Sequence, residues 1–146
     1  MTTAISTFFL IQQINRLIVK RVDELLKQEG SSSRQFLILD MLATHEPCSS
    51  AELARKGHMT AQAMGEALKS LQERGLLERS HCTQDGRKLL IQRSAAGRQA
   101  FIRCNRLVRE SEAAMFACLQ KGELARVRGG LALVREIEIA QHGGDD

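Results

Sequence analysis

The pattern that most restricts the fold lies between residues 49 and 94, where two short helix signals precede two strand signals. The sequence Ser49-Ser50-Ala51-Glu52 forms a capping box, in which the Ser and Glu side chains satisfy each other's free backbone donors, and it opens the first helix. Thr60 opens a second helix over about 60–74, with apolar residues at i, i+4 and i+7. One face of this second helix is therefore predicted to be buried.

A β-hairpin signal follows the second helix. Strands are predicted at about 76–82 and 88–93, and the Asp85-Gly86 pair between them indicates a turn because glycine tolerates positive φ. Helix, turn, helix and hairpin in this order predict a winged helix-turn-helix. Because such folds place the second helix in the major groove of DNA, we expect a DNA-binding lobe over about 33–94.

Long helical segments flank this lobe. The first is predicted over about 5–29, where apolar residues cover more than one narrow stripe and therefore predict burial against two surfaces. Further helices are predicted at about 95–120 and 122–141, and Gly129-Gly130 should weaken or bend the last one. The expected fold class is mainly α with a small β wing, and 146 residues suit a single domain.

Composition and charge agree with this fold. Hydrophobic residues make up 43% of the chain and charged residues 26%, so the chain should fold rather than stay disordered. The formal net charge of +4 is weak evidence for nucleic acid by itself. Its distribution is more informative, because nine of the 21 Lys and Arg residues lie between Arg74 and Arg109.

The cysteines and the start of the chain bear on the compartment. The apolar run Phe8–Ile11 is too short for a signal peptide, and no run approaches the length of a membrane span. None of the four cysteines forms a CxxC pair, so free thiols in a reducing cytoplasm are expected. No phosphate-binding glycine loop, HExxH motif or nucleophile elbow occurs, and neither an enzyme activity nor a metal or cofactor is predicted.

Five motifs, taken together, are more specific than a bare helix-turn-helix. They are SAELA at 50–54, MTAQAM at 59–64, LQERGLLER at 71–79, DGR at 85–87 and Gly97. Their combination resembles the MarR family of bacterial transcriptional regulators. The resemblance covers nearly the whole chain and implies a homodimer in which the helices at about 5–29 and 95–141 of two subunits intertwine. Two winged lobes would then bind a pseudo-palindrome.

Polar side chains at the start of the second helix are candidates for DNA contact. Thr60 and Gln62 can reach a phosphate or a base edge, and an amide can pair bidentately with adenine. Ala61 suits a thymine methyl, whereas Lys69 and Ser70 suit phosphate. A plain helix cap for Thr60 and a solvated face for Gln62 and Lys69 remain open interpretations. The predicted DNA-contacting set is Thr60, Ala61, Gln62, Gly65, Lys69, Ser70, Arg87 and Lys88.

The hairpin tip supplies the remaining basic residues. Arg87 is expected to enter the minor groove, where narrow A·T-rich tracts concentrate negative potential, and Lys88 lies beside it. The resemblance implies the same role for Arg87, with Asp85 shaping the wing. Asp85 could also pair with Arg79, for which a structural ion pair is the favoured interpretation.

The resemblance also implies a repressor that releases its operator when a small effector binds between the helical part and the winged lobe. Two other functions stay open. Cys48 precedes a capped helix, and a helix N-terminus stabilises a thiolate, so Cys48 or else Cys104 could act as a redox switch. Glu66 on the presented helix face repels phosphate, which would suit a protein-interaction adaptor that has lost DNA readout.

Overall fold

The computed structural model describes residues 5–142, and within them the fold is mainly helical with one small antiparallel sheet, which confirms the expected class. The helices are α1 Thr7–Leu26, α2 Ser33–His45, α3 Ser50–Lys56, α4 Ala61–Glu73, α5 Ala95–Met115 and α6 Glu123–His142, and the strands are β1 Leu77–His81 and β2 Leu89–Arg93. A turn of 3₁₀ helix, Lys27–Glu29, continues α1. Packing divides the chain into two units, one ending at Arg109 and the other starting at Glu110. No helix in the described range is long and apolar enough to cross a membrane.

Side-chain caps fix where α3 and α4 begin. The predicted capping box is present: the Glu52 backbone N–H donates to Ser49 Oγ at 3.3 Å, and the Ser49 backbone N–H donates to Glu52 Oε2 at 2.7 Å. Thr60 Oγ1 accepts from the Ala63 backbone N–H at 3.1 Å and caps α4. Thr60 therefore has the capping role that the sequence left open.

The core of the first unit lies between α2, α3, α4 and the hairpin. Its side chains below 2% exposure are aliphatic or sulfur-containing, and each such burial stabilises the fold by about 1.5–3 kcal/mol. They include Ile38, Leu39, Leu42, Leu53, Met64, Leu68, Leu71 and Ile91. The predicted stripe Met64, Leu68 and Leu71 is thus the buried face of α4.

The hairpin is tied to the start of α3 by a short third pairing. Its two strands pair in antiparallel register from Leu77 opposite Arg93 to His81 opposite Leu89. Cys48 then bridges to Ile91, with backbone N–O distances of 3.1 and 2.8 Å. The wing is consequently anchored on both sides at its base, while its tip extends beyond the pairing.

The end of α4 and the start of α5 cross closely. Gly75 ends α4 with a φ of +70°, in the left-handed region that favours glycine. Ser94 Oγ donates to the Gly75 carbonyl at 2.6 Å and accepts from the Gly97 N–H at 3.0 Å. A Cβ on Gly97 would collide with the Leu76 carbonyl, so this crossing requires glycine.

In the second unit, α6 departs from two expectations. It runs without interruption through Gly129 and Gly130, where a weak point was predicted. The stripe Leu124, Val127, Leu131, Val134 and Ile137 was predicted to face inward, yet the last four are 42–59% exposed. The side chains recur at helical spacing as expected, but within the described part of one chain little covers them.

Candidate nucleic-acid interface

Helix α4 is held by one face and presents the other. Beside the buried stripe, an exposed surface is formed by Ala61, Gln62, Gly65, Glu66 and Lys69, which we call the presented face. A helix mounted in this way is free to enter a groove of DNA, whose major groove is about 12 Å wide and admits one helix. The fold therefore has the arrangement that the helix-turn-helix pattern predicts, a second helix buried on one face and exposed on the other.

The residues predicted to contact DNA differ in how exposed they are and in whether they already have partners within the protein. Gln62 and Lys69 are exposed, and Lys69 makes only a long ion pair with Glu73, at 3.9 Å with both side chains mostly exposed. Ser70 is half-buried, and its hydroxyl accepts a hydrogen bond from Gln35 Nε2 at 2.9 Å. The structure thus places Ser70 at the seam between α2 and α4 rather than on the presented face. Its hydroxyl still has its own O–H to donate, so its phosphate contact stays a prediction.

The wing tip is shaped by Asp85. Its Oδ1 accepts from the Arg87 backbone N–H at 3.1 Å, and its carbonyl accepts from the Lys88 N–H at 3.0 Å. The expected pairing of Asp85 with Arg79 is absent: in residues 5–142 the Arg79 side chain makes no ion pair or hydrogen bond. The carboxylate is used by the backbone of its own turn instead. Arg87 is exposed, and its guanidinium has no partner among the described residues.

Lys88 lies at the side of the wing facing α3. Its Nζ is 3.6 Å from Glu52 Oε1, the same carboxylate that completes the capping box. The hydrogen bonds that Glu52 accepts from the backbone and side chain of Ser49, followed by the Lys88 charge, lower the pKa of Glu52. Lys88 is therefore partly neutralised within the protein, unlike its neighbour Arg87.

Comparison with known proteins decides the family. The model of the MarR family matches residues 32–89, the whole helix-turn-helix and most of the wing. The HTH-type transcriptional repressor Rv2887 of Mycobacterium tuberculosis is 32% identical over 111 residues, which are 76% of this chain and 80% of that protein. This chain belongs to the MarR family. It is a DNA-binding transcriptional regulator, and the relatives that match it are regulators rather than enzymes.

Solved structures share the fold of this MarR-family chain. A mutant MarR from Escherichia coli complexed with operator DNA superimposes with a TM-score of 0.80, at 22% identity over 89% of this chain and 94% of that one. CouR from Rhodococcus jostii bound to p-coumaroyl-CoA gives a TM-score of 0.80, at 19% identity over 90% and 92% of the two chains. At these identities the likeness establishes the architecture alone.

The structure shows the surroundings of the two candidate redox thiols of this MarR-family chain. Cys48 precedes α3 as expected, but it is buried, and burial followed by the nearby Glu52 charge raises the pKa of its thiol. Cys104 is 1% exposed, and burial likewise raises the pKa of its thiol. Because the thiolate is the reactive form, the raised pKa opposes oxidation of both residues. Nor does any group of three or more His, Cys, Asp and Glu residues in the described part of the chain suit a metal ion.

A polar cluster behind α4 was missed by sequence reasoning. Arg74, which directly follows α4, donates to Gln35 Oε1 at 3.3 Å and to the Glu29 carbonyl at 3.0 Å. The Glu29 carboxylate in turn accepts from Arg103 Nε at 2.9 Å. These contacts fasten the end of α4 to α2 and to the 3₁₀ turn that follows α1, and they fasten that turn to α5. They join residues that are 39 to 74 positions apart, so no local sequence pattern predicts them.

Proposed function

We propose that this MarR-family regulator acts in the cytoplasm as a homodimeric repressor, which binds a pseudo-palindromic operator and is released by a small-molecule effector. The presented face of α4 would lie in the major groove and Arg87 in the adjacent minor groove. The observation that carries this proposal is the exposed Arg87 guanidinium, which has no partner among residues 5–142 and lies on a hairpin anchored at its base beside an exposed helix face.

The proposed DNA contacts fall into two groups: those that read the bases and those that position the protein on the phosphate backbone. Gln62 and Glu66 occupy the presented face near the start of α4, where recognition helices meet base edges. Lys69, two turns further along from Gln62, suits a phosphate, and Thr60 keeps its capping role beside the backbone N–H groups of the helix start. Arg87 would add a charge in a narrow minor groove, where the negative potential is strongest.

Exposed apolar surface on the terminal helices supports the dimer. Large hydrophobic side chains on α1 are 40–87% exposed, and a row of them on α6 is 42–59% exposed. Apolar surface on this scale marks an interface in soluble proteins. A twofold axis would place two copies of α4 about 34 Å apart, one turn of DNA, so that both read the same side of the operator.

The proposal also includes a small-molecule effector that releases the regulator from its operator. CouR, which shares this fold, was crystallised with an acyl-CoA ligand, and the MarR resemblance implies a cleft beside the helical region. An effector would act by favouring a dimer in which the two recognition helices no longer match successive grooves. Of the other functions considered, redox control is opposed by the buried, high-pKa thiols of Cys48 and Cys104.

Selection from a random DNA pool, followed by anisotropy titration on the recovered site at several salt concentrations, tests the DNA contacts. Arg87→Ala should weaken binding and reduce the slope of log K against log salt by about two, one for each subunit of the dimer. Lys88→Ala is the matched control, because it removes the same charge one residue away. Its effect should be smaller, since Glu52 already partners Lys88.

Unchanged affinity and slope for Arg87→Ala would remove the wing from the interface, and failure to recover any sequence would favour a protein-interaction adaptor.

A further inference from the structure

We infer that Glu66 determines part of the operator sequence by accepting a hydrogen bond from the amino group of a cytosine in each half-site. The inference rests on the DNA-binding function proposed above. It concerns what α4 reads once it lies in the major groove, and it starts from the arrangement of Gln62 and Glu66 on the presented face.

Gln62 and Glu66 form a coupled pair one helical turn apart. Gln62 Nε2 donates to Glu66 Oε1 at 3.2 Å, and both side chains are exposed. The bond fixes which end of the Gln62 amide faces Glu66. In the described part of the chain no other hydrogen bond or ion pair reaches the Glu66 carboxylate, and the nearby Lys69 lies 3.9 Å from Glu73 instead. Glu66 therefore keeps unfilled acceptor capacity on the surface that meets DNA.

A carboxylate in this position has few partners in DNA. Phosphate oxygens repel it, so Glu66 is stable in the groove only where it lies over base edges. The donors in the major groove are the amino groups of cytosine N4 and adenine N6. On adenine the amino group stands between two acceptors that repel a carboxylate, its own N7 and the O4 of the paired thymine, whereas the amino group of cytosine has an acceptor on one side only, the O6 of the paired guanine. Cytosine is consequently the favoured partner.

Gly65 provides the close approach that such a contact needs. It lies in the interior of α4, where glycine costs about 0.5–1 kcal/mol relative to alanine. None of the residues that the structure describes requires glycine here, because an added Cβ would have no neighbour within 4 Å and the Gly65 φ is not in the positive region. Ala61, one turn earlier on the same face, is also small. Because Ala61 and Gly65 have small or no side chains, the backbone of α4 can approach the floor of the major groove closely. The Glu66 carboxylate can then reach the base edges.

Base preference measured by selection from a random duplex pool tests this role. The unmodified dimer should enrich cytosine at one position of each half-site and bind that site on the order of tenfold more tightly than the adenine-substituted site. Glu66→Gln should move the preference at that position from cytosine toward adenine, since an amide matches adenine N6 and N7. Glu66→Ala should lose preference at that position and keep it elsewhere.

Gly65→Ala tests the depth of insertion separately. The free protein should melt at a higher temperature, because alanine is the better helix former, while its affinity for the selected site falls. Gly129→Ala is the matched control: it makes the same change in an exposed helix interior, and it should raise the melting temperature without changing DNA affinity.

The outcomes separate the two proposals. If Glu66→Gln and the unmodified chain enrich the same bases at every position, the role of Glu66 is overturned while the DNA-binding function stands. If the unmodified chain enriches no sequence at all, both are overturned. A shift confined to one position of each half-site supports the reading of cytosine by Glu66.

Discussion

Gly97 lies where the start of α5 crosses the end of α4, and the crossing leaves no room for a side chain. Its added Cβ would meet the Leu76 carbonyl, which is backbone and cannot rotate away. Gly97→Ala should therefore lower the free energy of unfolding by about 1–3 kcal/mol, the usual cost of overpacking. Chemical denaturation followed by circular dichroism measures this change. Gly129→Ala, with open space around the added methyl, should instead stabilise the chain, and equal effects at the two sites would contradict the steric argument.

Single residues also show where local sequence rules fail. Cys48 precedes a capped helix, and by itself that position predicts a thiol of lowered pKa. The fold brings Ile91 alongside it, and the resulting burial raises the pKa of Cys48 instead. Similarly, Asp85 was expected to pair with Arg79 but serves the backbone of its own turn. Effects within about four residues were predictable, whereas burial by a distant strand was not.

Where α2, β2 and α5 meet, one carboxylate holds three elements together. Glu46, at the end of α2, accepts from the Arg93 backbone N–H at 2.7 Å and from its Nη2 at 3.0 Å, while Arg98 approaches to 3.5 Å. The Arg93 guanidinium also lies 5.3 Å from the centre of the Phe101 ring. Glu46 and Arg93 side chains are only 16% and 11% exposed, so solvent screens this pair weakly.

Acid should loosen this junction. Burial alone would raise the pKa of Glu46, but the hydrogen bonds and charges of Arg93 and Arg98 lower it overall from the ordinary 4.5. A lowered folded-state pKa contributes stability above the unfolded value, and that stability is lost as pH falls through the folded value. The unfolding free energy of the chain should thus drop below about pH 5, and Glu46→Gln should flatten that drop while lowering stability at neutral pH.

Urea titrations at a series of pH values measure both effects. The comparison is best repeated in an Arg93→Met background, which removes the first partner of Glu46 while keeping a long apolar side chain over Phe101. There the pH dependence attributable to Glu46 should shrink, because the side-chain hydrogen bonds and the charge of Arg93 that lower its pKa are gone, while the backbone N–H of residue 93 and the Arg98 charge remain. Identical pH profiles for Glu46→Gln and the unmodified chain would exclude this junction as a source of acid sensitivity.

Elements were predicted more reliably than the contacts between them. The capping box at Ser49 and the cap at Thr60 gave the starts of α3 and α4 within one residue, and the Asp85-Gly86 turn located the hairpin. These signals are local. The bridge from Cys48 to the hairpin and the hydrogen bonds of Arg74 join distant parts of the chain, and neither has a sequence signature. The helical spacing of the apolar residues predicted the buried face of α4, and the presented face is the opposite side of the same helix.

At the scale of the whole molecule, the exposed stripe on α6 is the feature that one chain leaves unexplained. Val127, Leu131 and Val134 follow one another at i, i+4 and i+7 and are 42, 51 and 59% exposed. A helix that is apolar along one side is stable only when that side is covered. We assign the cover to a second copy of the chain, as the proposed function requires.

Val134→Glu should therefore convert the dimer into monomers, because a carboxylate buried at the centre of an apolar interface has no partner there. Sedimentation equilibrium measures the change. Affinity for the full operator should fall steeply, while binding to a single half-site persists weakly, since the winged lobe has its own core in the first unit. Arg135→Glu is the control: it places the same carboxylate one position away, outside the stripe of Val127, Leu131 and Val134, and it should leave the dimer intact. A Val134→Glu protein that remains dimeric would show that this stripe has some other partner.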